Sequence, residues 1–147
     1  MTNYRIYVEK LAKFQVEAKS LQDELNLNLG LNLKNLRYIN VYDLFNFSKE
    51  LLEKSRYQVF GEIVTDLVSD ELDLNNKKYI AIEYLPGQFD QRASSAIDCV
   101  KLIDPNCNIN IRSGKIIILD YDISNDDLLK IKKYLINKVE AREKDLN

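Results

Sequence analysis

Histidine is absent from the 147 residues, which rules out an imidazole base, a Ser-His-Asp relay or a His-rich metal site. Any chemistry would have to rest on carboxylates, lysine, tyrosine or cysteine. Glu9 and Glu83 sit near the ends of two β-like runs, and a pair of carboxylates could divide acid and base roles between them. If the two runs are related by a twofold, the pair need not be close, and each Glu is expected to pair with a Lys or Arg on the solvent face. Cys99 falls on a helical stripe beside Ala96 and Val100 and is expected to be a small buried hydrophobe. Cys107 is in a loop with no adjacent base to activate it. Two cysteines alone make neither a structural zinc site nor a disulfide framework.

The densest polar group is in Glu83–Ala96, EYLPGQFDQRASSA, where Gln88, Asp90, Gln91 and Arg92 crowd behind Pro86-Gly87. A ligand loop can look like this, and so can a strand-to-helix joint. Pro fixes φ and Gly supplies positive φ, so Pro86-Gly87 reads first as a turn. Asp90 reads as a helix N-cap favoured by the dipole rather than a general base. Arg92 lies in the first helical turn, where a cation opposes the dipole, so it invites a partner elsewhere. Gln88, Gln91 and Arg92 are therefore the candidate contacts to a partner domain. The sequence offers no catalytic residue and no metal ligand set.

These groups must be positioned by alternating strands and helices. Tyr4-Arg5-Ile6-Tyr7-Val8-Glu9 alternates as a strand, and Phe14, Ala18, Leu21 and Leu25 follow at helical spacing. The Leu/Asn stretch 26–35 around Gly30 reads as a helix exit and loop, and 36–45 as strand or hairpin. Ser48 caps a second helix with Leu51, Leu52, Ser55 and Val59 inward, and 63–68 is a short β-branched strand. The polar segment 71–78 reads as a linker. Tyr79–Tyr84 is a strand, and Ala93, Ala96, Ile97 and Val100 mark a helix. Residues 108–119 read as a hairpin turning at Ser113-Gly114. Ser124 caps a last helix with Leu128, Ile131 and Leu135 inward, and 139–143 is strand or helix extension.

The order repeats. Ile6 aligns with Ile80 and Glu9 with Glu83, Phe14 with Phe89, Ser20 with Ser95, and Ser48 with Ser124. Each half reads as strand, helix, strand pair, helix, strand, the pair being clear only in the second, which is the split βαβ or ferredoxin-like unit. The expected fold is α+β: repeat 1 (4–70) and repeat 2 (77–143) within one domain. The two units are expected to pack face to face as an intrachain pseudo-dimer, burying the sheet face each would leave bare.

Composition narrows the class. Hydrophobic residues make up 46% and charged residues 30%, as in a globular chain. The formal charge of −2 argues against a nucleic-acid partner. There is no apolar run of bilayer length and no signal peptide after Met1, so no membrane is expected and the cytoplasm is the default compartment. The nine tyrosines suit semi-buried sheet surface and contact area for partners.

The segments Tyr4–Lys10, Glu83–Ala93 and Lys132–Asn137 resemble the N-terminal region of the large, single-chain phosphoribosylformylglycinamidine synthase. The likeness covers nearly the whole chain. In that family the N-terminal domain is similar to a dimer of PurS, the small subunit of the multi-subunit enzyme, in agreement with the duplication. Where the family tends to have Asp this chain has Ser94, and where it tends to have Pro this chain has Lys138, so a role tied to an acid at position 94 does not carry over. The resemblance implies a parent ligase of purine biosynthesis. Using ATP, magnesium and glutamine, it converts formylglycinamide ribonucleotide to formylglycinamidine ribonucleotide. The implied partners are its synthetase and glutaminase domains. The chain itself has no Gly-rich phosphate loop and is expected to be a non-catalytic fragment ending near the linker 140–147. It would carry no cofactor of its own and would be free to self-associate. The rival expectation is a stand-alone tandem ferredoxin-like enzyme or small-molecule-binding domain.

Overall fold

Ten regular elements succeed one another in the computed structural model, which describes residues 2–138 and 140–146. They are β1 (Thr2–Lys10), α1 (Val16–Leu29), β2 (Arg37–Phe47), α2 (Lys49–Ser55), β3 (Asp66–Ser69), β4 (Lys78–Tyr84), α3 (Gln91–Ile103), β5 (Asn110–Leu119), α4 (Asn125–Leu135) and β6 (Ala141–Glu143). A 3-10 turn, Ala12–Phe14, leads into α1, and a π-turn, Arg56–Phe60, follows α2. Met1, Asn147 and Val139, where the last expected segment begins, lie outside the described residues.

The fold is α+β, with all six strands in one open antiparallel sheet of order β3-β1-β2-β5-β4-β6. The expected face-to-face stacking of two sheets is therefore wrong. The chain joins its two halves edge to edge, β2 pairing with β5 from Arg37 opposite Ile118 to Phe45 opposite Asn110. This ladder satisfies two long strand edges that stacking would leave open.

The expected hairpin at Ser113-Gly114 is also absent, since β5 runs straight through both residues and pairs with β2 on one side and β4 on the other. Gly114 is there for space and not for a turn. A Cβ on it would lie 2.8 Å from the Ile82 carbonyl oxygen and 3.1 Å from Val41 Cγ1. A glycine inside a strand marks such a close approach as well as a turn. The strand expected over 63–68 starts later, at Asp66; Ile63 and Val64 are exposed.

Alternation along the strands splits the sheet into two unlike faces. One carries the helices over two apolar clusters. Ile6, Val8, Leu44, Phe47 and Val68 pack with α2 and α3; Ile80, Ile117 and Leu119 pack with α1 and α4. Helix α1 thus serves a core built mainly from late strands, and α3 one built mainly from early strands. On the opposite face Ile39, Val41, Ala81, Ile116 and Ile118 are covered by chain without regular structure, namely Leu72 and Leu74 from the linker and Leu146 from the C-terminal tail.

An ion-pair chain fastens that tail. Lys144, its side chain 4% exposed, reaches Asp43 at 2.6 Å and Glu83 at 3.0 Å. Arg5 holds Asp43 at 2.5 Å and the Leu146 carbonyl oxygen at 2.8 Å, and Arg142 holds Glu83 at 2.8 Å. Burial alone would push the Asp43 and Glu83 carboxyls up. Hydrogen bonds from Arg5 and Lys144 to Asp43, and from Lys144 and Arg142 to Glu83, more than offset it, so both rest below their ordinary range.

Candidate functional site

The helix-bearing face is not apolar throughout. On β2 the residues directed to it are Tyr38, Asn40, Tyr42 and Leu44; on β5 they are Ile111, Ser113, Lys115 and Ile117. The register sets Asn40 opposite Lys115 and Tyr42 opposite Ser113. A polar stripe therefore crosses the middle of the sheet, where the two apolar clusters meet. Tyr42 still joins the first cluster and Tyr38 packs against the second, and a cavity of about 700 Å³ opens above the stripe. Its floor includes Tyr38, Tyr42, Ser113 and Lys115, and its α3 wall includes Arg92 and Ser95. A smaller recess of about 170 Å³ shares Tyr38, Tyr42 and Arg92 with it and reaches Asn40 and Glu17.

Asp90 anchors the α3 wall. Its Oδ1 accepts from the Ala93 backbone N–H at 3.0 Å, capping the helix, and from the Ser113 hydroxyl at 2.7 Å; its Oδ2 accepts from the Ser113 backbone N–H at 2.8 Å. One carboxylate thus caps α3 and pins it to β5. Ahead of it the Gln88 N–H donates to the Leu85 carbonyl at 3.1 Å, with Pro86 second and Gly87 (φ +89°) third in the turn, the places a type II turn assigns them. Ser48 and Ser124 cap α2 and α4, accepting from Leu51 and Asp127 N–H at 3.0 and 3.1 Å. Neither is among the residues lining the cavity.

Of the three candidate contact residues, Gln91 and Arg92 line the cavity, whereas Gln88 is exposed on the turn outside it. Arg92 donates to the Tyr42 hydroxyl at 3.4 Å. Burial lowers its pKa, but that hydrogen bond and the fields of Tyr42, Tyr38 and Glu17 outweigh it, leaving the guanidinium firmly charged. The Tyr38 phenol is pushed up to about 12, chiefly by burial and then by Glu17, against an opposing pull from Arg92. It stays protonated and can donate. Lys115 Nζ lies 6.0 Å from the centroid of the Tyr38 ring. The Asn40 Oδ1 atom is buried and accepts no hydrogen bond, which is uncommon for a buried polar atom.

Cys99 corrects another expectation. It is exposed and lines the cavity instead of packing in the core, because the α3 stripe that faces the sheet is Ala93, Ala96 and Val100. Glu9 and Glu83 do not form a carboxylate dyad. Glu9 is bridged by Arg37 at 2.6 Å and Glu83 by Arg142 and Lys144. Sequence reasoning missed Tyr38, Asn40, Tyr42 and Lys115. The available signal was polar residues at inward positions of otherwise apolar strands. The site offers two cations, phenol and hydroxyl donors and a free amide acceptor, which is equipment for binding. Compared with known proteins, the chain matches no family model, no curated protein and no solved structure.

Proposed function

We propose that this chain is a PurS-like scaffold domain of a phosphoribosylformylglycinamidine synthase, holding the synthetase and glutaminase parts of that enzyme in register. The observation that carries the reading is a numerical agreement. The offset that aligns Phe14 with Phe89 and Ser20 with Ser95 in sequence is 75 positions. Asn40 and Lys115, which face each other across β2 and β5, are also 75 apart. That is what two copies of one strand, helix, strand, helix, strand unit would do if a twofold axis passed between Asn40 and Lys115. The strand order supports it, since it runs outward as β2-β1-β3 on one side and β5-β4-β6 on the other. In this reading the units are tandem ferredoxin-like repeats in a pseudo-dimer, each with one long strand in place of a hairpin. The segment Glu83–Ala93 adds the family resemblance.

A rigid pseudo-dimer offers two related surfaces, one for each partner. The need for such a part is physical: ammonia released at one site is lost to protonation and bulk water unless the second site is held close and shielded. Whether the chain lines that route is secondary to holding its ends. ATP and magnesium would be bound by the synthetase part, and the cytoplasm is the compartment such an enzyme implies.

The test is complementation in trans. A synthase lacking its N-terminal domain is mixed with the 147-residue chain and glutamine-dependent amidine formation is measured. Co-purification and restored turnover are expected, with neither glutamine hydrolysis nor ATP consumption by the chain alone. Failure to associate, or turnover by the isolated chain, refutes the scaffold reading.

A further inference from the structure

The central cavity has features that a scaffold does not require. Arg92 and Lys115 reach it from a helix and from the sheet floor, and among the described residues neither forms an ion pair. Among the described residues the nearby acids form no ion pair with them, although Glu17 acts on Arg92 through its field. Asp90 is engaged by Ala93 and Ser113, and Glu83 by Arg142 and Lys144. Glu17 and Glu140 are exposed side chains at the margin. The Tyr38 ring contributes flat apolar surface to the floor, next to Lys115, and the volume of about 700 Å³ is that of a small-molecule site. The smaller recess ends at the unpartnered Asn40 Oδ1, which waits for a donor.

We propose that this cavity is a binding site for a small aromatic anion, a phosphate or carboxylate carried on a flat ring. Arg92 and Lys115 take the anionic oxygens, since charge-assisted hydrogen bonds are the strong ones. The Tyr38 ring takes the flat body, and the Tyr38 hydroxyl donates. A donor on the ligand, or a water it traps, satisfies Asn40. The proposal stands on the cavity alone and survives if the scaffold reading fails.

Nuclear magnetic resonance titration of the full chain tests it, with phenyl phosphate as the probe, benzyl alcohol as its neutral counterpart and inorganic phosphate as the bare anion. Phenyl phosphate is expected to give saturable amide shifts at Tyr38, Tyr42, Arg92, Ser113 and Lys115. It should bind at least about tenfold more tightly than either control. Arg92→Gln and Lys115→Gln, both at exposed side chains, should each weaken it by about fivefold or more with the melting temperature unchanged. No saturation by about 20 mM, a Kd beyond the weakest meaningful range, overturns the site. So do shifts centred elsewhere, or full affinity in both variants. Equal binding of inorganic phosphate overturns the aromatic part, and equal binding of benzyl alcohol the anionic part.

Discussion

Replacing Lys144 by alanine tests whether the C-terminal tail is part of the sheet or only lies on it. The side chain is 4% exposed and bridges Asp43 on β2 to Glu83 on β4, across β5. Removing one member of a buried ion pair costs about 3–5 kcal/mol, because the charge left behind is uncompensated. Here each carboxylate keeps a second partner, Arg5 for Asp43 and Arg142 for Glu83, so the lower end applies, about 3 kcal/mol. For a chain of this size that corresponds to a fall in Tm of about 6–12 °C. The pH dependence carries the sharper test. Both carboxyls lie below their ordinary values in the folded state. Their contribution is therefore complete above the unfolded values of 3.8 and 4.5, and is lost as pH falls through the lower folded values. The difference between the parent and Lys144→Ala should be full at neutral pH and shrink towards zero in strong acid, where Lys144 has lost its anionic partners. Urea unfolding at neutral and acidic pH measures both quantities. A loss under about 1 kcal/mol at neutral pH, the size expected of a surface pair, would refute the reasoning, as would a loss that does not change with pH.

Gly114→Ala should destabilise the chain by about 2–3 kcal/mol in chemical denaturation, in the range of an overpacked core. The new Cβ meets the Ile82 carbonyl oxygen at 2.8 Å and the Lys144 stem at 3.1 Å; a loss within about 0.5 kcal/mol, typical of a free surface position, would show that β4 and the tail yield easily. Asp90→Ala removes a cap, worth about 1 kcal/mol, and strands the Ser113 N–H, worth about 1–3 kcal/mol more. Its total should exceed that of Ser48→Ala or Ser124→Ala, each about 1 kcal/mol, and equal losses in all three would refute the second role.

The parts of the fold legible in the sequence were those fixed by local rules. The helix caps at Ser48, Asp90 and Ser124 and the turn at Pro86-Gly87 depend on a few neighbouring residues, and a reader needs no tertiary knowledge to place them. The stripe Ala93, Ala96, Val100 likewise announced the face α3 buries. What failed depended on partners distant in sequence. Ser-Gly inside an apolar alternation looks the same whether the glycine supplies positive φ or clears a path for a neighbouring strand. Only the Ile82 carbonyl decides between them. In sequence 71–78 reads as a polar linker, yet Leu72 and Leu74, two positions apart, lie over the far face of the sheet, a spacing that suits an extended covering segment. Cys99 was misplaced because one step around a helix separates a core residue from a cavity wall.

The same distinction governs the site. Each half, taken alone, would show an alternating strand and an amphipathic helix, and nothing to mark a cavity. The cavity lies over the central ladder of β2 and β5, from which Tyr38, Tyr42, Ser113 and Lys115 reach it, and α1 and α3 each pack on a cluster built mainly from strands of the other half. The second residue of α1 is Glu17 and the second of α3 is Arg92, 75 positions apart. If the halves are copies, these are equivalent positions facing a common axis, and they carry opposite charges. Two identical glutamates there would repel any anion, and two arginines would repel each other across the recess. The recess they share is also lined by Lys10 and Asp66, which pair with each other at 2.9 Å, and Glu17 stays at its exposed margin. Arg92, unlike Glu17, also lines the main cavity, so of the two equivalent positions the cation and not the acid reaches it.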